Sequence, residues 1–90
     1  MNQSFKVAEE IVSRNNKDGT VIVMKLDDSN FFFKIDGVAA LVWTELANNK
    51  QIDQIKEEIL SDYNISKEVL DKDIDNLLSD LTSKNLIFPL

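Results

Sequence analysis

The chain contains no cysteine and no histidine. These two absences remove thiolate nucleophiles, disulfides, imidazole bases and the usual zinc and haem ligands. A carboxylate-only metal site or a lysine or serine nucleophile would need a deep, shaped pocket, which a 90-residue domain rarely has room to build. No apolar run comes near the roughly 18 residues of a membrane span. The start, Met1-Asn2-Gln3-Ser4-Phe5-Lys6, lacks the basic-then-apolar layout of a secretory signal. The expectation is one domain over residues 1–90, with no catalytic residue, no cofactor, no metal site and no membrane contact, in the cytoplasm by default.

Basic charge is scarce where a nucleic-acid reader would need it. Net charge is −6. Residues 1–50 carry six basic and seven acidic side chains, and residues 51–90 carry four basic and nine acidic. An acidic C-terminal half repels phosphate backbones, so no nucleic-acid partner is expected there.

What is present is a strand-rich first part and a helix-rich second part. Residues 1–6 read as a frayed start. Val7, Ile11 and Val12 are the apolar residues expected to be buried next, with strand character from about Glu10 to Arg14. Asn15-Asn16-Lys17-Asp18-Gly19 ends in Asp-Gly, a strong turn signal between β segments. Thr20-Val21-Ile22-Val23-Met24-Lys25-Leu26 is β-branched and apolar, hence a strand. Asp27-Asp28-Ser29-Asn30 is a second turn, and Phe31-Phe32-Phe33-Lys34-Ile35 a third strand. Strand periodicity points Phe31, Phe33 and Ile35 to one face and Phe32 and Lys34 to the other. Three strands joined by two short turns make an antiparallel meander.

The aromatic strand runs into a helix with no room for a loop. Asp36 is expected as its N-cap, its carboxylate accepting from backbone N–H groups. Val38, Leu41, Val42, Glu45 and Leu46 recur at helical spacing with Trp43 beside them, and Asn48-Asn49-Lys50 ends the helix. A second helix spans about Ile52 to Tyr63, with Ile52, Ile55, Ile59 and Leu60 as its buried stripe, and ends at Asn64. Ser66 caps a third helix reaching about Lys84, with Leu70, Ile74, Leu77, Leu78 and Leu81 inward. Leu86-Ile87-Phe88 reads as a short apolar return stopped by Pro89. The expected fold class is α+β: a three-stranded antiparallel sheet followed by three helices, winged helix-turn-helix-like in outline.

The run Phe33-Lys34-Ile35-Asp36-Gly37-Val38-Ala39-Ala40-Leu41-Val42-Trp43-Thr44-Glu45-Leu46 resembles the PqqD-like family, also called RiPP recognition elements. That family reads roughly x-Leu-Asn-x-x-Ala-x-x-Ile-Trp-x-x-Leu here. It continues with a glycine-containing turn, a helix, a tyrosine–glycine–valine joint, a helix with an Asp, Leu, Leu pattern, and a terminal Gly-Leu-Leu/Ile. This chain supplies Tyr63-Asn64-Ile65, then Asp73-Ile74-Asp75-Asn76-Leu77-Leu78, then Asn85-Leu86-Ile87, so the resemblance covers about residues 10–88. It departs at Asp36, where Asn is common, and at Asn49, Asn64 and Asn85, where Gly is usual; all three Asn replacements suit a left-handed backbone.

The resemblance implies that the leader segment of a ribosomally made precursor peptide binds as an extra strand on the third strand, against the third helix. It further implies delivery to a separate maturase: a radical SAM protein, a cyclodehydratase or a leader peptidase. The peptide-binding residues would be Asn30, Phe31, Phe32, Phe33, Lys34 and Ile35 on the strand. On the helix they would be Val69, Asp73, Asn76, Leu77 and Asp80, a stripe at three- and four-residue offsets. An open strand edge carries unpaired N–H and C=O groups that an extended peptide can satisfy. The same stripe also reads as a solvated acidic face, and Trp43, Phe31 and Phe33 read as core side chains. Two other function classes fit the outline. A winged-helix transcriptional regulator would need a basic third helix, whereas residues 66–84 carry three Lys against five acids. A structural dimerisation module would use the open edge to make a homodimer.

Overall fold

The computed structural model describes residues 4–90. In chain order they form β1 (Phe5–Val7), β2 (Ile11–Asn15), β3 (Val21–Lys25), β4 (Asp28–Ile35), α1 (Gly37–Ala47), α2 (Ile52–Asp62), α3 (Lys67–Ser83) and β5 (Ile87–Pro89). The meander is β2-β3-β4, antiparallel throughout, and a second sheet pairs β1 with β5. The strand expected third in the sequence is therefore β4, and β1 replaces the expected frayed start at Phe5 and Lys6; Met1 to Gln3 lie outside the described residues.

The Asp-Gly signal makes its turn as the residue types require. Gly19 adopts φ +89, a region that costs a side-chain-bearing residue strain. Asp18 accepts from the Thr20 backbone N–H at 3.1 Å and from the Thr20 hydroxyl at 2.7 Å. Those bonds, the hydroxyl first, hold the Asp18 carboxyl below its ordinary pKa. The second turn is tighter than expected. β4 begins at Asp28, and its register against β3 jumps from Met24↔Phe32 to Lys25↔Asp28, leaving Ser29, Asn30 and Phe31 as a bulge.

The meander has a buried and an open face. Val21, Val23 and Ile35 point inward and are fully buried, with Phe31 and Phe33 half-buried against the same core. Val12, Met24 and Phe32 form one outward cross-strand row. Val12 thus corrects the expectation of burial: it is 38% exposed, because nothing among the described residues covers that face.

α1 is the central helix, packing against β1, α2 and α3. Ala40, Val42, Trp43 and Leu46 are buried there, Trp43 at 1% exposure. Truncating such an aromatic typically costs about 3–5 kcal/mol. Asp36 sits at the N-cap with extended backbone, but its carboxylate makes no cap hydrogen bond. Gly37, at φ +59, makes the abrupt change from strand to helix instead. The helix ends in a Schellman motif: Asn49 adopts φ 66, its N–H donates to Leu46 C=O, and Lys50 N–H donates to Glu45 C=O. α3 repeats the device at Asn85, φ 61, with Leu86 N–H donating to Leu81 C=O and both leucines buried.

Asn64 does not share that conformation, correcting the reading of all three asparagines as left-handed. α2 stops earlier, at Asp62, because Tyr63 is extended. Ile65 N–H then closes a three-residue turn onto Tyr63 C=O. Ser66 caps α3 as expected, its hydroxyl accepting from Val69 N–H at 3.2 Å. Ile52, Ile55 and Ile59 of α2 and Leu70, Ile74, Leu78 and Leu81 of α3 complete the core; Leu60 and Leu77 are half-buried. Among the described residues no helix is long and apolar enough to cross a membrane.

Candidate functional site

β4 is a terminal strand of its sheet. It pairs with β3 on one side, and among the described residues no strand pairs with the other. Its outer backbone groups from the bulge to Ile35 are therefore available to an extended segment.

The helical side of the site is built by the α1 start and the middle of α3. Asp36, Gly37, Val38, Ala39 and Val42 face Asp73, Ile74, Asn76 and Leu77 across a cavity of about 410 Å³. It lies where β4 ends, because Gly37 turns the chain there with no intervening loop. The walls are apolar (Val38, Ala39, Val42, Leu77) and the rim carries two carboxylates and an amide. At the other end of α3, Lys84 ties the helix to the strand. Its ammonium lies 5.0 Å from the Phe33 ring centroid and pairs with Asp80 one turn back.

The eleven residues singled out from sequence divide clearly. Asp73, Asn76 and Leu77 come together in the cavity. Asp80 lies near β4 through Lys84, and that pairing already meets its charge. Val69 is half-exposed one turn before Asp73 and does not line the cavity. On the strand, Phe33 and Ile35 point into the core side, while Phe32 and Lys34 stand on the open face. Phe31 lies in the bulge under Lys25, 4.6 Å from its ammonium, and Asn30 N–H bonds Asp28 Oδ1 at 3.1 Å.

Asp36, Gly37, Val38, Ala39 and Val42 were not anticipated as part of this cavity. Helical periodicity marks which α1 residues are apolar, not which neighbour α3. The usable signal is Ala39, a small residue in the first turn of the helix that follows the edge strand, which leaves room beside the helix.

Charge elsewhere is engaged in holding helices together. Lys50 pairs with Glu45 of α1 and with Glu58 of α2 at 2.9 Å, and hydrogen bonds to Glu45 first and Glu58 second raise its pKa. Lys56 joins Asp71 across α2 and α3 at 3.2 Å. Asp36 and Asp73 have no ion-pair partner among the described residues. Also among the described residues, no three acidic side chains gather so as to hold a metal ion.

This geometry has parallels. The protein solved as TbiB1 in complex with the TbiA(beta) leader peptide superposes with a TM-score of 0.82, over 91% of this chain and 93% of that one, at 24% identity. Lasso peptide synthetase B1 complexed with the leader peptide gives 0.80, over 94% and 98%, at 19% identity. At such identities the likeness establishes a shared fold: α+β, with three helices and a three-stranded antiparallel sheet. No curated relative matches the chain. The family model for coenzyme PQQ synthesis protein D matches residues 20–87, running from the start of β3 through all three helices to β5, and the chain accordingly belongs to the PqqD family.

Proposed function

We propose that this chain is a recognition element for the leader segment of a ribosomally made precursor peptide. The leader adds as a strand to the outer edge of β4 and sets side chains into the groove against α3. The observation that carries the reading is the unpaired β4 edge running straight into an apolar, carboxylate-rimmed cavity. Two proteins of the same fold, solved as leader-peptide complexes, support it. Main-chain hydrogen bonds to β4 supply affinity for any extended segment, and the cavity selects the sequence. Its walls suit an aliphatic side chain, and Asp36 and Asp73 favour a neighbouring Lys or Arg. We place Asn30 to Ile35 on the strand side, and Asp73, Asn76 and Leu77, with Val69 and Asp80 flanking, on the helix side.

In this reading the chain is not an enzyme. It hands the bound peptide to a separate one, a radical SAM protein, a cyclodehydratase or a leader peptidase, in the cytoplasm where such peptides are made. The α2–turn–α3 unit with its adjoining sheet corresponds to a winged helix-turn-helix outline. The acidic α3 surface, with Asp73, Asp75 and Asp80, disfavours the nucleic-acid role of that outline.

Calorimetric titration with the leader of a precursor encoded beside this chain's gene tests the proposal. Ordering a disordered leader costs several kcal/mol, so a dissociation constant in roughly the nanomolar to micromolar range is expected. Absence of heat and of any shift in β4 amide resonances would overturn it. Light scattering on the same samples separates a guest peptide from a second copy of the chain at that edge.

A further inference from the structure

The open face of the meander differs in chemistry from the rest of the surface. Six side chains point outward from its paired positions, in two cross-strand rows: Val12, Met24 and Phe32, then Arg14, Ile22 and Lys34. Four are apolar and two are cationic. None is acidic, in a chain with sixteen acidic residues and a net charge of −6. Phe32 is 65% exposed and Val12 38%, while Met24 and Ile22, on the central strand, are half-buried by their neighbours. Asp18, in the β2–β3 turn, feels the Lys34 charge from the end of the sheet. An exposed aromatic within a contiguous apolar row, edged by cations, has the make-up of an interaction surface rather than of a solvated sheet face.

We propose that this face docks the separate modifying enzyme, through a patch on that enzyme that is apolar and carries carboxylates. The inference rests on the leader-binding reading, since delivery requires a contact with the enzyme that the guest does not occupy. The leader takes the backbone edge of β4 and the α3 groove, and leaves the outward Phe32 and Lys34 side chains free. The open face adjoins that edge through β4 itself, so an enzyme seated there is next to the emerging peptide. Charge complementarity selects the occupant. A second copy could offer carboxylates only from its acidic helices. That contact would join two different surfaces head to tail, giving a ring or a filament rather than a two-fold dimer. With two cations, on a chain of net charge −6, the face falls short of the roughly four to eight Lys or Arg that mark a surface for anionic lipid.

The test uses β2, which is remote from the leader edge. Val12→Asp with Arg14→Glu, and Arg14→Glu alone as a variant at an already exposed position, are titrated separately with the leader and with the purified modifying enzyme encoded beside this chain's gene. Leader affinity is expected to stay unchanged, while affinity for the enzyme falls by about tenfold or more in the double variant and less in the single one. Equal enzyme affinity for parent and variants would overturn the proposal, as would failure of the parent to bind the enzyme. Loss of self-association in the variants, with enzyme binding intact, would overturn it in favour of a second copy. The leader titration reports on the leader-binding reading by itself, so the two failures cannot be confused.

Discussion

Among the described residues the meander has two open edges, β2 and β4, and only β4 runs into a cavity shared with α3. Both present unpaired backbone groups. β2 is five residues long, and beyond Ile11 all its side chains are exposed. β4 is eight residues long, and its last residue leads through Asp36 and Gly37 into the wall of a cavity shared with α3. The contrast separates affinity from selectivity. Backbone groups can hold any extended chain, but only an edge with side-chain pockets beside it can choose one. Beside β2 a smaller cavity, about 210 Å³, touches only its last residue, Asn15, from the β2–β3 turn. An edge without pockets along its length is a hazard to be kept short and charged, and Arg14 fits that description.

Proline substitution is the strongest way to break this comparison. In an antiparallel strand, successive N–H groups point to opposite sides. Of Phe32→Pro and Phe33→Pro, one therefore removes a donor to β3 and destabilises the fold. The other removes a donor facing outward and should lower leader affinity roughly tenfold with little change in melting temperature. The matching pair on β2, Val12→Pro and Ser13→Pro, should leave leader affinity untouched wherever the protein stays folded. Loss of binding on β2 alone would exchange the roles of the two edges.

Glycine replacement is gentler. Gly19→Ala and Gly37→Ala meet no atoms within 4 Å, so the strain is purely of the backbone. Each should cost about 1 kcal/mol in thermal or denaturant unfolding. Only Gly37→Ala should also weaken leader binding, because it reorients the cavity wall at the end of β4.

The smallest effect concerns charge. Asp73→Lys should weaken binding by up to about fivefold, about 0.2–1 kcal/mol, and less so at high salt. Asp80→Lys should do less, since Lys84 already partners Asp80. Titration at two salt concentrations checks both, and equal losses would place Asp80 deeper in the groove than its ion pair indicates.

Much of this architecture could be read from side-chain period. The alternation of Phe31, Phe33 and Ile35 with Phe32 and Lys34 assigns the two faces of β4 correctly. The isoleucine and leucine spacings of α2 and α3 pick out their buried stripes, and Ser66 announces a cap that forms. What escaped has physical reasons. β1 is three residues long, too short for any period to show, and β5 is legible only as an apolar return, with Pro89 inside the strand opposite Phe5 rather than stopping it. Val12 alternates like a core residue, but which face is covered is decided by helices elsewhere in the chain. Asp36 has the right side chain for a cap, yet its carboxylate makes no cap bond where Gly37 enters the helix at positive φ. The α3 half of the cavity was legible as a stripe, whereas its α1 half depends on two helices meeting.

The β1–β5 pair has a bearing on folding. It joins Phe5 to Pro89, and Leu90 N–H also bonds Ser4 C=O at 2.9 Å, so this clasp closes nearly the entire chain into a ring. Every other sheet contact is between neighbours in sequence. The meander can thus assemble from local pairings, leaving the clasp as the contact of longest separation, which must wait until the rest is compact. Ring closure is also insensitive to circumference: doubling the enclosed length costs only about 0.6 kcal/mol. The connections inside the ring, the β2–β3 turn above all, are therefore free to lengthen without unfastening the clasp, and the adjacent ends make the unit easy to splice into a larger polypeptide.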